Sequence, residues 1–241
     1  MKRIIRYHRW GWAVFAVLLL VFSACSKELD INMPEKGAVS YEDFYNYSGP
    51  KNNDLGIGTI RSREGIRYVW LDASAIGMIV NPDEVKDIAD GTRVFIQYRC
   101  VVLPPTLPDF CTDAILVEWA TPLDVGEVSL EPQERQGDPI SIVRDWMTTL
   151  EDGFVTLHYA FPSQWVVSHG FCLCPGEKEN EYRLIHDANG DTEGELTDGL
   201  ICFDVSSLLP DTEGKTVTLS LTYIDLDKTS KTLTVDYRSP Q

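Results

Sequence analysis

Apolar and polar positions along this chain alternate mostly with a period of two, the signature of half-buried β-strands. Leu55–Arg61 and Ile66–Leu71 are short β-like runs joined by 62–65, a turn ending in Gly65. A third run, Ser74–Val80, stops at Asn81-Pro82, which opens a turn, and Pro82–Ala89 has room for one helical turn. Thr92–Val102 puts Val94, Ile96, Tyr98 and Cys100 on one face and Arg93, Gln97 and Arg99 on the other. Leu103–Phe110 holds Pro104, Pro105 and Pro108 and reads as a loop, and Ala114–Ala120 is a fifth strand. Five strands in about 75 residues predict a small closed or half-closed barrel.

The second half is also β. Phe154–Phe161 places Val155, Leu157, Tyr159 and Phe161 on one face. Glu181–Asp187 runs into Asn189-Gly190, a type I′ hairpin signal. Leu200–Val205 turns Ile201, Phe203 and Val205 one way, and 217–223 and 233–237 are two amphipathic strands joined by a turn at Asp225–Lys231. One wet and one dry face per strand is what an antiparallel sandwich requires. Between the halves, Asp124–Pro139 is acidic, polar and carries Pro132 and Pro139, the composition of a linker. No segment longer than about ten residues shows a helical period. The expected class is therefore all-β: a five-stranded barrel domain over 41–125, then an antiparallel β-sandwich over 138–241.

The N-terminus carries an address. Met1–Arg9 is basic, and Trp12–Phe22 is an uncharged apolar run of 11 residues. A spanning helix needs about 20, so 1–24 reads as a signal peptide. The sequence Val21-Phe22-Ser23-Ala24-Cys25 resembles a bacterial lipobox, with Phe22 where Leu is usual. That resemblance implies cleavage before Cys25 and acylation of its thiol, with 25–40 as a flexible tether. Ser26, rather than Asp, follows the cysteine, which by likeness to known sorting patterns favours the outer membrane, on a face the sequence leaves open. Several acyl chains hold a protein firmly where one holds it marginally.

Charge narrows the partners. The leader has four bases and no acid, so the rest of the chain has 17 bases against 37 acids, a net charge of −20. Nucleic-acid binding draws on Lys and Arg neutralising phosphates, so no nucleic-acid partner is expected.

The order of features then becomes informative. A lipoprotein-type leader is followed by five barrel strands with Gly91-Thr-Arg-Val-Phe-Ile-Gln-Tyr98 as the fourth. The second half carries His169-Gly-Phe171 and then Arg183-Leu-Ile-His186-Asp-Ala-Asn-Gly-Asp191. This resembles the NigD-like lipoproteins of Gram-negative anaerobes over nearly the whole chain. The resemblance implies an N-terminal OB-type barrel, a C-terminal β-sandwich and an association with bacteriocin gene clusters. It brings no activity and no catalytic residues to carry over.

With Cys25 acylated, Cys100, Cys111, Cys172, Cys174 and Cys202 remain, an odd count that leaves at least one thiol unpaired. A clasp between Cys100 and Cys111 across the Pro-rich loop is feasible, as is a cross-strand bridge from Cys202 to Cys172 or Cys174. Cys172 and Cys174 are themselves too far apart along a strand to pair readily. A Cys/His metal site using His169 or His186 is the rival, though Cys-x-Cys is poor zinc spacing. Asp187, Asn189 and Asp191 have the oxygen spacing of a calcium loop, but Thr192 and Asp198 stand where Gly and a bidentate Glu belong. A tight hairpin with solvated acids is the expected alternative, and no metal or other cofactor is expected.

Catalytic chemistry is thinly represented. No Gly-x-Ser-x-Gly elbow and no Gly-rich phosphate loop occur. His158 reads as an exposed or hydrogen-bonded structural histidine, whereas His169 and His186 lie on segments that can neighbour each other and meet a carboxylate. Barrels of the OB type bind oligomers on one sheet face, and here a neutral glycan or a protein is the compatible ligand. Trp70, Trp119, Trp146 and Trp165 are the candidate stacking or anchoring residues, with Trp165 in a predicted loop. The expected role is a non-enzymatic binding module at the cell envelope. Sequestration of a cationic bacteriocin is the second reading, favoured by the acid excess, and an envelope hydrolase the third.

Overall fold

In the computed structural model, residues 54–72, 75–101, 107–164, 166–213 and 215–238 are described. The expectations for the leader, Cys25, the tether and Trp165 lie outside these residues. The all-β class holds: among the described residues, strands account for the regular structure apart from a 3₁₀ turn at Pro82–Val85.

Five strands form the barrel: β1 (Asp54–Arg63), β2 (Ile66–Leu71), β3 (Ala75–Ile79), β4 (Arg93–Val101) and β5 (Asp113–Pro122). The sheet closes in the order β1-β2-β3-β5-β4, and β3 and β5 run parallel. Glu64 and Gly65 both take positive φ (54° and 79°), which gives the tight right-twisted hairpin between β1 and β2. Closure bends β1 across two partners, since Gly58 pairs with Leu71 on one side and Val94 on the other. A Cβ there would sit 2.6 Å from the Trp70 carbonyl oxygen, so only glycine fits. Ile60, Val69, Val94, Ile96 and Ile115 fill the interior and are fully buried. Val85, on the 3₁₀ turn, packs against the same core. Asn81 ties that turn to β5: its Nδ2 donates to the Val117 carbonyl (2.7 Å), and the Val117 N–H donates to Asn81 Oδ1 (2.9 Å).

The alternation predicted for β4 holds at Val94 and Ile96 and then fades. The register shifts between Gln97 and Tyr98, where β5 carries an extra residue. Beyond that bulge Tyr98 is half-buried and Cys100 is exposed. Arg93 departs in the other direction. Alternation puts it on the face of β4 opposite Val94 and Ile96, yet it is 1% exposed.

The sandwich has two sheets. One consists of β6 (Asp124–Val125), β13 (Glu195–Asp204), β10 (Phe154–Ser163) and β8 (Ser141–Val143), in that order, with β9 (Thr149–Glu151) also paired to β10. The other is β15 (Ser230–Tyr237), β14 (Val217–Ile224), β12 (Glu181–Asp187), β11 (Gly170–Pro175) and β7 (Glu127–Val128). Leu157, Phe161, Ile201, Phe203, Leu173, Leu184 and Leu221 meet between them. Most pairs are antiparallel, with parallel joins at β6–β13, β7–β11 and β12–β14.

Two local readings change. The stretch read as a linker supplies β6 and β7, one strand to each sheet, hinged at Gly126. A Cβ on Gly126 would lie 2.1 Å from the Phe203 ring. Two-residue strands are held by backbone hydrogen bonds alone, so they leave no side-chain alternation to read. Asn189 and Gly190 do form a turn with positive φ at both (49° and 85°), but the flanking strands do not pair. The chain crosses instead from β12 in one sheet to β13 in the other, because turn chemistry sets only the local backbone and the apolar face of β13 decides its sheet.

All five described cysteines are free thiols, so neither the Cys100–Cys111 clasp nor a Cys202 bridge forms. The geometry explains the second. Cys172 and Cys174 alternate with core-facing Leu173 on one sheet, and Cys202 alternates with core-facing Ile201 and Phe203 on the other. The thiols thus lie on opposite outer faces of the sandwich. Burial pushes the Cys202 thiol up to about 11 and also raises Cys100, Cys111 and Cys172, which suppresses the reactive thiolate.

Barrel and sandwich meet around Arg93. Its Nη2 donates to both oxygens of Asp72 at 2.5 Å, its Nε to Thr156 Oγ1 on β10 at 3.2 Å, and its Nη1 to Thr59 Oγ1 at 3.4 Å. Thr149 Oγ1 also donates to Asp72, at 2.6 Å. Cys202 is buried on the outer face of its sheet beside Arg93. At the rim, Arg61 and Asp152 make a second cross-seam ion pair at 2.6 Å.

Candidate functional site

Next to this seam the protein shows three aromatic rings to solvent. On β4, Phe95 and Gln97 alternate with buried Val94 and Ile96 and therefore point outward. The β5 bulge sets Trp119 directly opposite Gln97, and the indole N–H donates to Gln97 Oε1. Phe95 and Trp119 meet edge to face with centroids 5.5 Å apart, the preferred geometry for an aromatic pair. Trp146 comes from the sandwich and approaches Phe95 from the other side, at 6.2 Å. Trp119 remains 39% and Trp146 52% exposed. Large aromatic side chains left this open are unusual unless they meet something.

The loop carrying Trp146 is braced. Asp145 Oδ1 accepts from the Met147 N–H (2.9 Å), and Thr148 donates through its hydroxyl to the Val143 carbonyl (2.7 Å). Behind the loop, His158 on β10 places Nδ1 2.7 Å from Asp145 Oδ2 and Nε2 3.2 Å from Asp198 Oδ2. The His158 N–H donates to Thr148 Oγ1 (3.1 Å). His158 is thus the structural histidine the sequence suggested, and the element it holds is the one that presents Trp146.

Trp146 also walls a cleft of about 310 Å³ between barrel and sandwich. Leu55, Ile57, Leu71 and Tyr98 form its barrel side, and Thr149 and Glu151 its sandwich side, with Asp72 at the base. Desolvation, then the nearby Asp54 carboxylate, pushes the Tyr98 hydroxyl up to about 12. It is therefore a neutral phenol at neutral pH. Among the described residues, no histidine or cysteine lines this cleft. Aromatic faces, one phenol and two carboxylates suit stacking and hydrogen bonding.

The other two histidines do come together. His169 Nδ1 lies 2.8 Å from His186 Nε2, and His169 Nε2 lies 3.5 Å from Asp191 Oδ2. The rings stack on Phe161 at 4.2 and 4.7 Å, and Phe171 lies 5.2 Å from His186. His186 Nδ1 donates to the Pro139 carbonyl (3.2 Å), so its Nε2 must accept from His169 Nδ1–H. Burial, then the neighbouring His169, lowers the His186 pKa. The Gln164 N–H, then Ser163 Oγ, holds the Asp191 carboxyl down at about 2. Ser163 donates its hydroxyl to Asp191 rather than to an imidazole, so the histidines do not activate it. The calcium-loop reading dissolves in the same geometry. Asp191 turns inward to Ser163 and Gln164, whereas Asp187 accepts from the Asn189 N–H and from Arg135. Among the described residues, no group of His, Cys, Asp and Glu is arranged to hold a metal.

Of the tryptophans singled out in the sequence, Trp119 and Trp146 form the site, and Trp70 lies half-buried on β2. Phe95, Tyr98 and His158 complete the arrangement. Phe95 was legible only as an outward residue on an alternating strand. Its pairing with both tryptophans depends on the bulge and on the fold of the second half.

Comparison with known proteins agrees with this architecture. Residues 126–237 match the NigD-like C-terminal β-sandwich domain. No curated protein matches the chain. A solved structure from Parabacteroides distasonis, described as a candidate toxin-related protein, superposes with a TM-score of 0.64 at 18% identity. The match covers 78% of this chain and 94% of that one. A NigD-like immunity protein from Bacteroides caccae superposes at 0.55 and 18% identity, covering 78% and 98% of the two chains. A candidate lipoprotein from Bacteroides fragilis does so at 0.51 and 11%, covering 77% and 96%. At these identities the likeness is one of fold, and it runs through barrel and sandwich alike. The barrel-then-sandwich order and the sandwich match together make this chain similar to the NigD-like proteins, with the family's β-sandwich domain over residues 126–237.

Proposed function

We propose that the protein is a non-enzymatic binding module of the cell envelope, tethered through lipid on Cys25 and contacting its ligand at the aromatic seam. The observation that carries this reading is the exposed Trp119–Phe95–Trp146 row beside the barrel–sandwich cleft. Exposed tryptophans at a groove are the residues that most often dominate binding energy. The ligand is a neutral glycan or a protein segment, because the excess of acids disfavours phosphate polymers. Pull-down from the native envelope, with the wild type beside Trp146→Ala, tests this directly: the specific partner is retained by the first and lost by the second. Equal recovery would move the site elsewhere.

The tether has its own test. Lipidation at Cys25 predicts a protein that sediments with membranes, outer membrane included, and a Cys25→Ala protein in the soluble fraction. Sedimentation of both would remove the anchor from the reading.

A second reading is supported by the immunity and toxin-related descriptions of two structural neighbours and by the −20 charge outside the leader. In it, the protein captures a cationic bacteriocin. Capture driven by net charge weakens steeply as ionic strength rises, because screening shortens to about 8 Å at physiological salt. Binding that is insensitive to salt speaks for the glycan or protein contact instead.

A further inference from the structure

We propose that the β-sandwich contains a binding site for one small, uncharged apolar molecule about the size of an aromatic ring. A cavity of about 130 Å³ lies between the two sheets. Its floor is core: Leu157, Leu173 and Leu221 are 1%, 1% and 9% exposed. Its mouth is the sandwich edge between β9 and β15, where Leu150 and Leu233 are half-buried and Val235 is 38% exposed. A native interior seldom leaves such a void unfilled.

The lining dictates the ligand class. Among the described residues, no acid, base or histidine faces the space. Tyr182, the one residue there with a phenol, donates its hydroxyl to the Leu208 carbonyl at 2.8 Å. A charged guest would find nothing to pair with, and of the hydroxyls in the lining those of Thr148 and Thr149 are already committed, to the Val143 carbonyl and to Asp72. Volume dictates the size. Apolar cavities of roughly 150 Å³ stay dry and take up benzene or xenon. A polypeptide or a long acyl chain does not fit in 130 Å³.

The wall is also held open. The segment after β13 is fixed by Leu208 and Leu209 N–H groups that both donate to the Val205 carbonyl (2.8 and 3.0 Å). With the Tyr182–Leu208 bond added, this segment cannot slide inward to close the space. The site is separate from the aromatic seam, and Thr149, whose hydroxyl is committed to Asp72, stands between the two.

The test titrates benzene into the full chain in detergent-free buffer and follows leucine and valine methyl resonances. Saturable shifts of the Leu157, Leu173 and Leu221 methyls are expected, with the barrel methyls of Val69 and Val94 unmoved. The Tm rises by about 2–4 °C at high saturation, and benzoate produces neither effect. Val155→Phe, which pushes a ring into the space, weakens benzene binding at least tenfold. The proposal is overturned by non-saturable shifts, by equal shifts in the barrel, by benzoate binding as well as benzene, or by unchanged affinity in Val155→Phe. If that variant does not fold, the wild-type titration, repeated with xenon, decides alone.

Discussion

Two places in this molecule gather aromatic rings around histidine, and they do so to opposite ends. At the far side of the sandwich, Phe161 and Phe171 stack on His169 and His186, and every ring is at least half covered. At the seam, Phe95, Trp119 and Trp146 form an open row with His158 behind it. In the first cluster the polar atoms are consumed internally, from Pro139 through both imidazoles to Asp191 and Ser163. In the second the indoles are half uncovered and the histidine serves only to hold a loop. Residue type alone does not separate a core cluster from a recognition surface. What separates them is whether the surrounding strands close over the rings.

The sharpest way to break this comparison is to truncate a ring in each place. Phe161 is 3% exposed and packs in the sandwich core, so Phe161→Ala is expected to cost about 3–5 kcal/mol of unfolding free energy. Denaturant unfolding would show it as a large fall in the midpoint, with ligand affinity per folded molecule unchanged. Trp146→Ala should do the reverse, changing stability by less than about 1 kcal/mol and weakening the seam ligand by about 2 kcal/mol or more. If both variants lose stability equally, the seam row is packing and not a contact surface.

Of comparable size is the effect of the polar hub between the two lobes. Arg93 is fully buried, and its removal leaves Asp72, 13% exposed, without its cation. Arg93→Met is expected to cost about 3–5 kcal/mol. Arg93→Met with Asp72→Leu should recover much of that, because an unpaired buried charge is the greater part of the penalty. A double mutant no better than the single would show that the hydrogen bonds to Thr59 and Thr156 matter more.

Arg93 marks the limit of what local alternation encodes. Period-two alternation found the five barrel strands, the sandwich hairpin of β14 and β15, and the facing residues of β10 and β13. Those signals are local. They fail where burial comes from another lobe, as at Arg93 and Cys202, which sit on faces that would be wet in an isolated sheet. They fail also where backbone pairing does the work, as at Asp124–Val128. Trp119 and Trp146 were visible as candidates because exposed aromatic chemistry is written in residue type. Their juxtaposition was not, since it depends on a one-residue bulge in β5 and on a loop 27 residues further along.

A pH titration sharpens the closed cluster. Burial, and then His169, lowers the His186 pKa below its ordinary 6.5. The unfolded chain therefore binds more protons than the folded one below about pH 6.5. Stability is fully present above that value and falls as the pH drops toward the lowered folded pKa, with a slope of at most about 1.4 kcal/mol per pH unit for one proton. His186→Phe should flatten the slope between pH 6.5 and 5. A slope unchanged in that variant would assign the acid sensitivity to other groups.

The smallest expected effect tests the open cluster from behind. His158 touches no solvent-facing ring, yet it holds Asp145, and Asp145 shapes the turn that presents Trp146. Removing it by His158→Ala deletes two side-chain hydrogen bonds, each worth about 1 kcal/mol or less where partly exposed. The cost in stability should be correspondingly modest, about 1–2 kcal/mol. Ligand affinity should fall by about threefold to tenfold, because an unbraced indole must be ordered at the moment of binding. His158→Asn can still donate to Asp145 but cannot span to Asp198, so it should recover part of the affinity. If His158→Ala lowers stability while affinity stays the same, the loop is self-supporting. The aromatic row would then owe its geometry to Phe95 and the β5 bulge alone.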